Sequence, residues 1–153
     1  MGIEIERKYL LKNNNWRSQV SRSLAVRQGY LTSNTQSSIR VRIANDKANI
    51  NIKAATLNVN RAEYEYAIPV EDAQEMLDNL CSRPVIEKIR HFVNIDDFVW
   101  EIDEFSGENQ GLFVAEIELA SENQAFVHPE WLGQEVSDDP RYYNVCLVKK
   151  PFS

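Results

Sequence analysis

The chain has 153 residues, 43% of them hydrophobic and 10% aromatic, which is enough for one globular domain with its own core. Its net charge of −6 argues against a nucleic-acid-binding surface, because phosphate backbones bind basic patches. No apolar run approaches the roughly 20 residues that a membrane span needs, and the N-terminus is charged rather than signal-like, so we expect a single cytoplasmic domain over residues 1–153.

The hydrophobic pattern predicts eight strands joined by short connections. In chain order the predicted strands cover about 3–11, 24–31, 38–44, 48–56, 60–68, 85–94, 98–105 and 112–120. Turn residues such as Asn45, Asn58 and Gly107 lie in the gaps between them. This arrangement indicates an antiparallel sheet.

One amphipathic helix is predicted between the fifth and sixth strands, where apolar residues recur at helical spacing. Its apolar positions are Val70, Ala73, Met76, Leu77, Leu80 and Cys81. Glu71 and Asp72 lie at its start, where negative charge interacts favourably with the helix dipole.

Two further helical segments are predicted after the last strand. Residues 121–126 are expected to form a helical turn. Asp139 followed by Pro140 is typical of an N-cap and a first helical position, so a closing helix is expected from there through Leu147. The fold class is therefore α+β, with few helices beside the strands.

Six of the predicted strands place two like charges two residues apart. The pairs are Glu4/Glu6, Arg40/Arg42, Glu63/Glu65, Lys88/Arg90, Glu101/Asp103 and Glu116/Glu118. Residues two apart in a strand share a face, and the alternate positions here are apolar. One such pair is more often a solvated strand face, but six of them suit a barrel whose charged faces line a common interior. We therefore predict an eight-stranded antiparallel β-barrel with an ion-binding interior.

The acidic pairs of the first and last strands would meet where such a barrel closes. Carboxylates packed closely repel one another unless they are protonated or bridged by a cation. Hard oxygen ligands of this kind suit Mg²⁺ or Mn²⁺. The predicted metal ligands are therefore Glu4, Glu6, Glu116 and Glu118, with Asp103 completing the set.

The basic residues on the same strand faces fit the recognition of an oxyanion. Guanidinium groups bind phosphate oxygens in a bidentate manner, and lysines supply point charge. The predicted phosphate-binding residues are Lys8, Arg40, Arg42, Lys53, Lys88 and Arg90. Together with one or two metal ions they would neutralise a triphosphate and stabilise in-line attack by water.

Other chemistry-bearing residues form no recognisable site. Cys81 and Cys146 lie far apart without metal-site spacing, and each falls in an apolar helical pattern typical of a small buried thiol. His91 and His128 form no ligand or catalytic pattern with them. The chain also lacks a Gly-rich phosphate loop and a nucleophile elbow.

The motifs as a set resemble those of one family. E-I-E-R-K at 4–8 is similar to the E-x-E-x-K signature that opens the CYTH domain of small bacterial triphosphate tunnel metalloenzymes. The similarity continues through R-Q-G-Y, I-R-V-R, I-K, R-A-E-Y-E, E-K-I-R, W-E-I-D-E-F and A-E-I-E-L to W-L-G-Q-E-V-S-D-D-P-R-Y-Y-N at 131–144. The order of these motifs over nearly the full chain makes the resemblance specific.

The resemblance implies an eight-stranded tunnel in which the five carboxylates match metal ligands and the six basic residues match phosphate-binding positions. Further tunnel-lining positions are Arg61, Glu63, Glu65, Gln28 and Tyr30. Of these we expect Arg61 and Tyr30 to contact the substrate. The residues expected to take part in catalysis are Glu4, Glu6, Lys8, Lys88 and Glu118.

The chain departs from the family pattern near its C-terminus. Several relatives carry a lysine after the asparagine of the closing helix, whereas Val145 follows Asn144 here. Arg141 or Lys149 would then supply the missing charge, or the site is more open at that end.

The resemblance to small bacterial members implies hydrolysis of inorganic tripolyphosphate to phosphate and pyrophosphate, dependent on Mg²⁺ or Mn²⁺. The motifs show no aromatic cradle for a base or thiazole, which favours a substrate without an organic group. A class IV adenylate cyclase and a nucleoside or thiamine triphosphatase are alternatives within the enzyme class. A non-catalytic polyphosphate-binding module is an alternative of another class.

The expected partners are few. A small-molecule triphosphate is the substrate, and neither nucleic acid nor a membrane is expected to bind. Two or three helices are few to cover the apolar outer positions of eight strands, which favours a homodimer that buries one barrel wall.

Overall fold

A computed structural model describes residues 2–33, 36–54, 59–143 and 146–147. Its main element is a sheet whose described pairings are all antiparallel. The strands are β1 Gly2–Leu11, β2 Val20–Ser33, β3 Ser37–Ala44, β4 Lys47–Ala54, β5 Asn60–Ile68, β6 Ile86–Ile95, β7 Phe98–Phe105, β8 Phe113–Glu118 and β9 Leu132–Glu135. Each predicted strand is present, with ends shifted by a few residues.

The first eight strands close into a barrel. Their order is β5-β4-β3-β2-β6-β7-β8-β1, and a further pairing between β5 and β1 completes the ring. The predicted eight-stranded antiparallel barrel is therefore confirmed. The ninth strand was not predicted, because the four residues of β9 are too few to show an alternating pattern.

One α-helix, α1, covers part of the outside of the barrel. It runs over Val70–Asn79, as predicted, and packs against β2, β3 and β4. Ala73 and Leu77 are its buried residues, and they contact Val41 and Ala48 of the sheet. None of the helices in the described ranges is long and apolar enough to cross a membrane.

The remaining helical segments are short 3₁₀ turns at Asn15–Gln19, Gly107–Asn109 and Pro140–Tyr142. The helical turn predicted at 121–126 is present only as one hydrogen-bonded turn, in which the backbone N–H of Gln124 donates to the carbonyl oxygen of Ser121 at 3.2 Å. The Gln124 side chain accepts a hydrogen bond from the backbone N–H of Ala120, and the chain beyond it has no regular structure up to residue 126.

The predicted N-cap near the C-terminus is confirmed. Asp139 Oδ1 accepts a hydrogen bond from the backbone N–H of Arg141 at 3.0 Å, and Pro140 begins the turn. Residues 146–147 are helical. The predicted continuous helix from Pro140 through Leu147 is wrong, because the 3₁₀ turn ends at Tyr142 and the backbone of Tyr143 is extended. Residues 144–145 and the predicted turn at Asn58 lie outside the described residues.

The largest apolar core lies outside the barrel wall rather than within it. Trp100 and Ile117 point outward from β7 and β8, because the charged residues that alternate with them point inward. Trp16 and Trp131, from the connecting segments, pack over these outer faces and are almost completely buried. The connections, and not only helices, therefore cover the outer apolar positions.

One end of the barrel interior is filled by a second apolar cluster. Its buried members are Tyr30, Ile86, Phe105, Leu112, Val114 and Leu147. Ile86 and Phe105 lie on the same strand faces as Lys88 and Asp103, two residues further along. The interior therefore changes from apolar to charged along the barrel axis.

Candidate active site

The charged strand faces enclose a cavity of about 190 Å³ inside the barrel. Of the fifteen charged residues predicted above to face inward, fourteen line this cavity, and Asp103 is the exception. Seven of the lining side chains are carboxylates and seven are cationic. Tyr30 also lines it, whereas Gln28 is fully buried in the wall. The structure thus brings together the predicted catalytic and substrate-binding residues, whose roles remain predictions.

The lining carboxylates occupy one arc of the wall, which also carries the cations Lys8 and Arg61. The carboxylates lie on β1, β5, β7 and β8, which are consecutive around the ring from β7 through β8 and β1 to β5. Arg40 and Arg42 lie on β3, on the other side of the ring. An elongated ligand with separate cationic and anionic parts would meet a complementary wall on each side.

Within the acidic arc, carboxylates face each other directly across neighbouring strands. Glu6 of β1 is paired in register with Glu118 of β8, and Glu101 of β7 is paired with Glu116. Directly opposed like charges destabilise a sheet. Such pairs therefore require protons, cations or lysines between them.

Lys8 supplies part of this compensation. Its Nζ atom lies 2.9 Å from Glu116 Oε1 and 3.5 Å from Glu6 Oε1. Burial alone would lower the pKa of Lys8, but the two carboxylates raise it above its ordinary value. Burial alone would likewise raise the pKa of Glu116, and Lys8 together with Arg90 holds it well below the usual range.

The compensation is incomplete at two carboxylates. Burial and the nearby Glu116 raise the pKa of Glu6 from 4.5 to about 7. Burial, Glu4 and Glu101 also raise the pKa of Glu118. Both groups therefore retain protons more readily than ordinary glutamates, because burial and the neighbouring carboxylates outweigh the attraction of the nearby cations.

This surplus of negative charge fits a divalent cation. Glu4, Glu6, Glu116 and Glu118 offer only oxygen donors, which Mg²⁺ and Mn²⁺ prefer. A bound cation would relieve the repulsion that raises the pKa of Glu6. In the described ranges no three acidic, histidine or cysteine side chains are already arranged around a common point, so these carboxylates would have to turn toward the ion.

Asp103 occupies a different position from the one expected. It is fully buried behind the cavity wall and accepts hydrogen bonds from Lys88 Nζ at 2.7 Å and from Arg90 Nε and Nη2 at 2.8 and 2.9 Å. Although burial would raise its pKa, these two cations lower it to about 2. Asp103 shares the inward face of β7 with Glu101, but it does not line the cavity, because both of its oxygens are covered by Lys88 and Arg90 of β6. Its role as a metal ligand remains a prediction. In this structure it orients Lys88 and Arg90.

The amine of Lys88 is buried beside other cations, which disfavours its charged form. Burial lowers its pKa to about 7, helped by Arg90 and Arg42 and opposed by Asp103. An anion in the cavity would stabilise the charged form of this amine. Lys88 is therefore suited to contact a phosphate group.

Arg40 and Arg42 provide the clearest sign of an anion site. Arg40 is only 7% exposed, and within the described part of the chain no carboxylate oxygen lies within 4.0 Å of either guanidinium. The Nε atoms of both residues are buried and have no hydrogen-bond partner among the described residues. Burial, Arg90 and Arg40 lower the pKa of Arg42 to about 10. Buried arginines without counter-ions favour an anionic ligand.

Lys53 and Arg61 connect the basic and acidic groups near Glu4. Lys53 Nζ lies 3.2 Å from Glu4 and 3.1 Å from Glu63, and Arg61 Nε lies 3.5 Å from Glu4. These pairs are mostly buried, so they are screened little by water. A ligand phosphate or a cation at this point would exchange partners with them.

Three lining residues were not predicted. Ser38 and Asn51 share strand faces with Arg40 and Lys53, so the two-residue period contained a signal for them. Tyr143 follows the last 3₁₀ turn and had no periodic signal.

The expected substitute for the missing family lysine is not found at the cavity. Arg141 is exposed and pairs with Asp139 at 2.7 Å, so it does not supply that charge. Val145 and Lys149 lie outside the described residues.

A comparison with protein families shows that the CYTH domain profile matches residues 2–143 of this chain. The chain belongs to the CYTH domain family. The resemblance drawn from the E-x-E-x-K signature is therefore confirmed. The signature of this CYTH domain lies on β1, where Glu4, Glu6 and Lys8 all line the cavity.

Relatives of this CYTH domain include two named proteins. An inorganic triphosphatase of Acetivibrio thermocellus is 47% identical over 152 residues, which cover 99% of this chain and 97% of that protein. An inorganic triphosphatase of Nitrosomonas europaea is 35% identical over 149 residues, which cover 95% and 96%.

Solved structures show the same fold. A crystal structure of an inorganic triphosphatase matches with a TM-score of 0.68 and 32% identity, covering 95% of this CYTH domain and 97% of that chain. A putative adenylate cyclase from Bacillus halodurans matches with a TM-score of 0.62 at 16% identity, covering 80% and 84%. The second likeness concerns the fold alone.

Proposed function

We propose that the protein is a triphosphatase that hydrolyses inorganic tripolyphosphate to phosphate and pyrophosphate, with Mg²⁺ or Mn²⁺ as cofactor. The observation that carries the proposal is the pair of buried arginines, Arg40 and Arg42, which have no carboxylate within 4.0 Å in the described part of the chain and lie opposite the carboxylate arc. A polyanion and a divalent cation together complement both arcs. The two relatives named inorganic triphosphatase support the same reaction.

In this proposal four residues hold the cation. Glu4, Glu6, Glu116 and Glu118 would turn their carboxylates toward it, and Asp103 stays behind the wall as the partner of Lys88 and Arg90. When bound, a divalent ion of this kind neutralises phosphoryl oxygens and lowers the pKa of a coordinated water.

Basic residues bind the phosphate chain. Arg40 and Arg42 face the cavity together with Lys88, which is paired with Asp103, and all three would bind the phosphoryl oxygens. Burial raises the pKa of Tyr30, so its hydroxyl remains protonated beside Arg40 and orients that guanidinium. The same basic groups would stabilise the negative charge that develops on the leaving pyrophosphate.

The lining favours an inorganic substrate over a nucleotide. Apart from charged groups, the wall of this cavity consists of Tyr30, Ser38, Asn51 and Tyr143. Both tyrosines are buried against other side chains, so neither offers a free ring face to a base. The cavity therefore suits phosphate groups along its whole length.

The test is an activity screen on the purified protein. Tripolyphosphate, ATP and thiamine triphosphate are each incubated with Mg²⁺, with Mn²⁺ and with EDTA, and the products are identified by phosphorus NMR. We expect phosphate and pyrophosphate from tripolyphosphate, at a rate that EDTA abolishes. Cyclic AMP as the main product from ATP would instead indicate a cyclase, and tight binding without turnover would indicate a binding module.

We also infer a homodimer in the cytoplasm. Ile3, Tyr64 and Tyr66 lie on the outer face of β1 and β5 and are 58%, 40% and 60% exposed, which is typical of an interface. Cys81 is a buried thiol outside any disulfide, as in reducing compartments. Light scattering of the wild type and of Tyr66→Lys tests the assembly: a monomer in both samples would refute it.

A further inference from the structure

The segment Leu132–Tyr143, here called the C-terminal strap, is attached to the backbone of Lys8. The backbone N–H of Val136 donates to the carbonyl oxygen of Lys8 at 2.8 Å. The backbone N–H of Lys8 donates to Ser137 Oγ at 3.0 Å. Both backbone groups of this inward-facing lysine are therefore satisfied by the strap.

The strap contacts β1 at the point where the pairing of β1 with β5 has ended. On this side β1 pairs with β5 only over Gly2–Ile5, and with β9 at Tyr9 and Leu11. Lys8 lies after the first pairing ends. On this edge of β1 the strap, and not β5, holds Lys8 in the barrel wall, while on the other edge β1 is paired with β8 and Lys8 lies opposite Glu116.

Tyr143, at the end of the strap, contacts two cations of the cavity. Its ring centroid lies 5.3 Å from Lys8 Nζ and 5.0 Å from Arg61 Cζ, and the residue is 5% exposed. Its hydroxyl donates a hydrogen bond to the carbonyl oxygen of Ser137. Tyr143 therefore presents its ring, and not its hydroxyl, to the cations.

An aromatic face acts on these cations differently from a carboxylate. Lys8 and Arg61 also lie near Glu6, which attracts both of them with a full negative charge. The quadrupole of a ring attracts a cation without cancelling its charge. Ring contacts can therefore hold both side chains in place while leaving their positive charge available to a phosphate.

We propose that Tyr143 is a positioning residue, which holds Lys8 and Arg61 side by side so that both contact one phosphoryl group of the bound anion. This inference rests on the proposed function for the identity of that anion. The residue does not touch the reacting atoms through its hydroxyl, so its contribution is to anion affinity and to the placement of the two cations.

The test compares three variants with the wild type. Tyr143→Leu removes the ring, Tyr143→Phe keeps it, and Tyr142→Leu is a matched control that removes a neighbouring tyrosine which packs on the apolar cluster and does not line the cavity. The readouts are KM and kcat for tripolyphosphate, the Kd of pyrophosphate by calorimetry, and thermal unfolding.

We expect Tyr143→Leu to raise KM and the pyrophosphate Kd about tenfold, which corresponds to two cation–π contacts of ordinary strength. Tyr143→Phe and Tyr142→Leu should stay within about twofold of the wild type for both constants. The effect of Tyr143→Leu on kcat should be smaller than its effect on KM. This pattern separates ring-mediated positioning from a general loss of stability.

Two results would overturn the inference: wild-type constants in Tyr143→Leu, or an equally large loss in Tyr143→Phe. If Tyr143→Leu does not fold, Tyr143→Met keeps the volume without a ring and carries the same expectation. If the wild type has no triphosphatase activity, the proposed function fails, and the pyrophosphate Kd values still decide the role of Tyr143.

Discussion

Arg90 binds Asp103 through two nitrogen atoms, with Nε 2.8 Å from Oδ1 and Nη2 2.9 Å from Oδ2. The carboxylate is fully buried and its Oδ2 also accepts from Lys88. One acidic group on β7 therefore sets the direction of two cations on β6. Since both cations line the cavity, this pair links the stability of the barrel to its ability to bind anions.

The first prediction concerns that pair. Asp103→Asn should lower the free energy of unfolding by about 3–5 kcal/mol, because it leaves two buried cations without their counter-ion. Urea denaturation at neutral pH measures the change. Glu101→Gln is the matched control: this partly exposed carboxylate lies 3.3 Å from Arg90, and its loss should cost less than about 1 kcal/mol. Equal effects of the two substitutions would contradict the assignment.

The second prediction concerns the arginines without counter-ions. Arg42→Gln should weaken binding of tripolyphosphate about 10- to 100-fold, because a charge-assisted hydrogen bond contributes about 1.5–3 kcal/mol. It should not lower the free energy of unfolding, since burial and repulsion from Arg90 and Arg40 outweigh the attraction of Asp103 and Glu101 at Arg42. Calorimetry and urea denaturation measure the two quantities.

Arg27→Gln is the control for this substitution. Arg27 pairs with Asp78 at 2.8 Å on the outer surface, away from the cavity. Its replacement should leave anion affinity unchanged. A large loss of stability in Arg42→Gln with unchanged affinity would show that the residue is structural.

The third prediction concerns pH and metal. The folded pKa of Glu6 is about 7, above its ordinary value of 4.5, so the folded state binds this proton more tightly than the unfolded state. The associated stability is present below pH 4.5 and is lost as the pH rises through about 7. The loss amounts to roughly 2–4 kcal/mol in metal-free protein.

Thermal unfolding between these pH values, with EDTA and with Mg²⁺, checks this dependence. Glu6→Gln should remove it in EDTA, because the amide does not titrate. Mg²⁺ should remove it in the wild type, because a cation replaces the proton. The same pH dependence in the variant and in the wild type would show that another group is responsible.

The fourth prediction concerns Glu118, the carboxylate of β8 that lies opposite Glu6. Glu118→Gln should lower metal-dependent kcat about a hundredfold or more, because bound metal contributes several kcal/mol to transition-state stabilisation. It should leave part of the metal-free anion binding, which depends on Arg40 and Arg42. Glu122→Gln, an exposed glutamate outside the cavity, is the control. Full activity in Glu118→Gln would remove it from the proposed metal site.

Much of this site was predictable because strand geometry is periodic. Glu116 and Glu118 alternate with Ala115 and Ile117, and such a pattern places charges on one face whatever the neighbours are. Six strands with this pattern have one economical arrangement, in which the charged faces meet inside a barrel. The eight barrel strands and α1 followed from the same local periods.

Local periodicity says nothing about depth along the barrel or about segments without regular structure. Glu101 and Asp103 share a strand face, but only Asp103 lies level with Arg90 of β6 and is covered by it. β9 forms because β1 offers an open edge beyond its pairing with β5, and Tyr143 reaches the cavity only through that attachment.

The amino-acid sequence by itself therefore determined the inward charges and the barrel that encloses them, because side-chain direction in a strand depends only on neighbours in the chain. The tertiary structure decided which charges pair with each other, which remain without a counter-ion, and where Tyr143 contacts the cations. Those outcomes depend on strand register and on packing between residues that are distant in the chain.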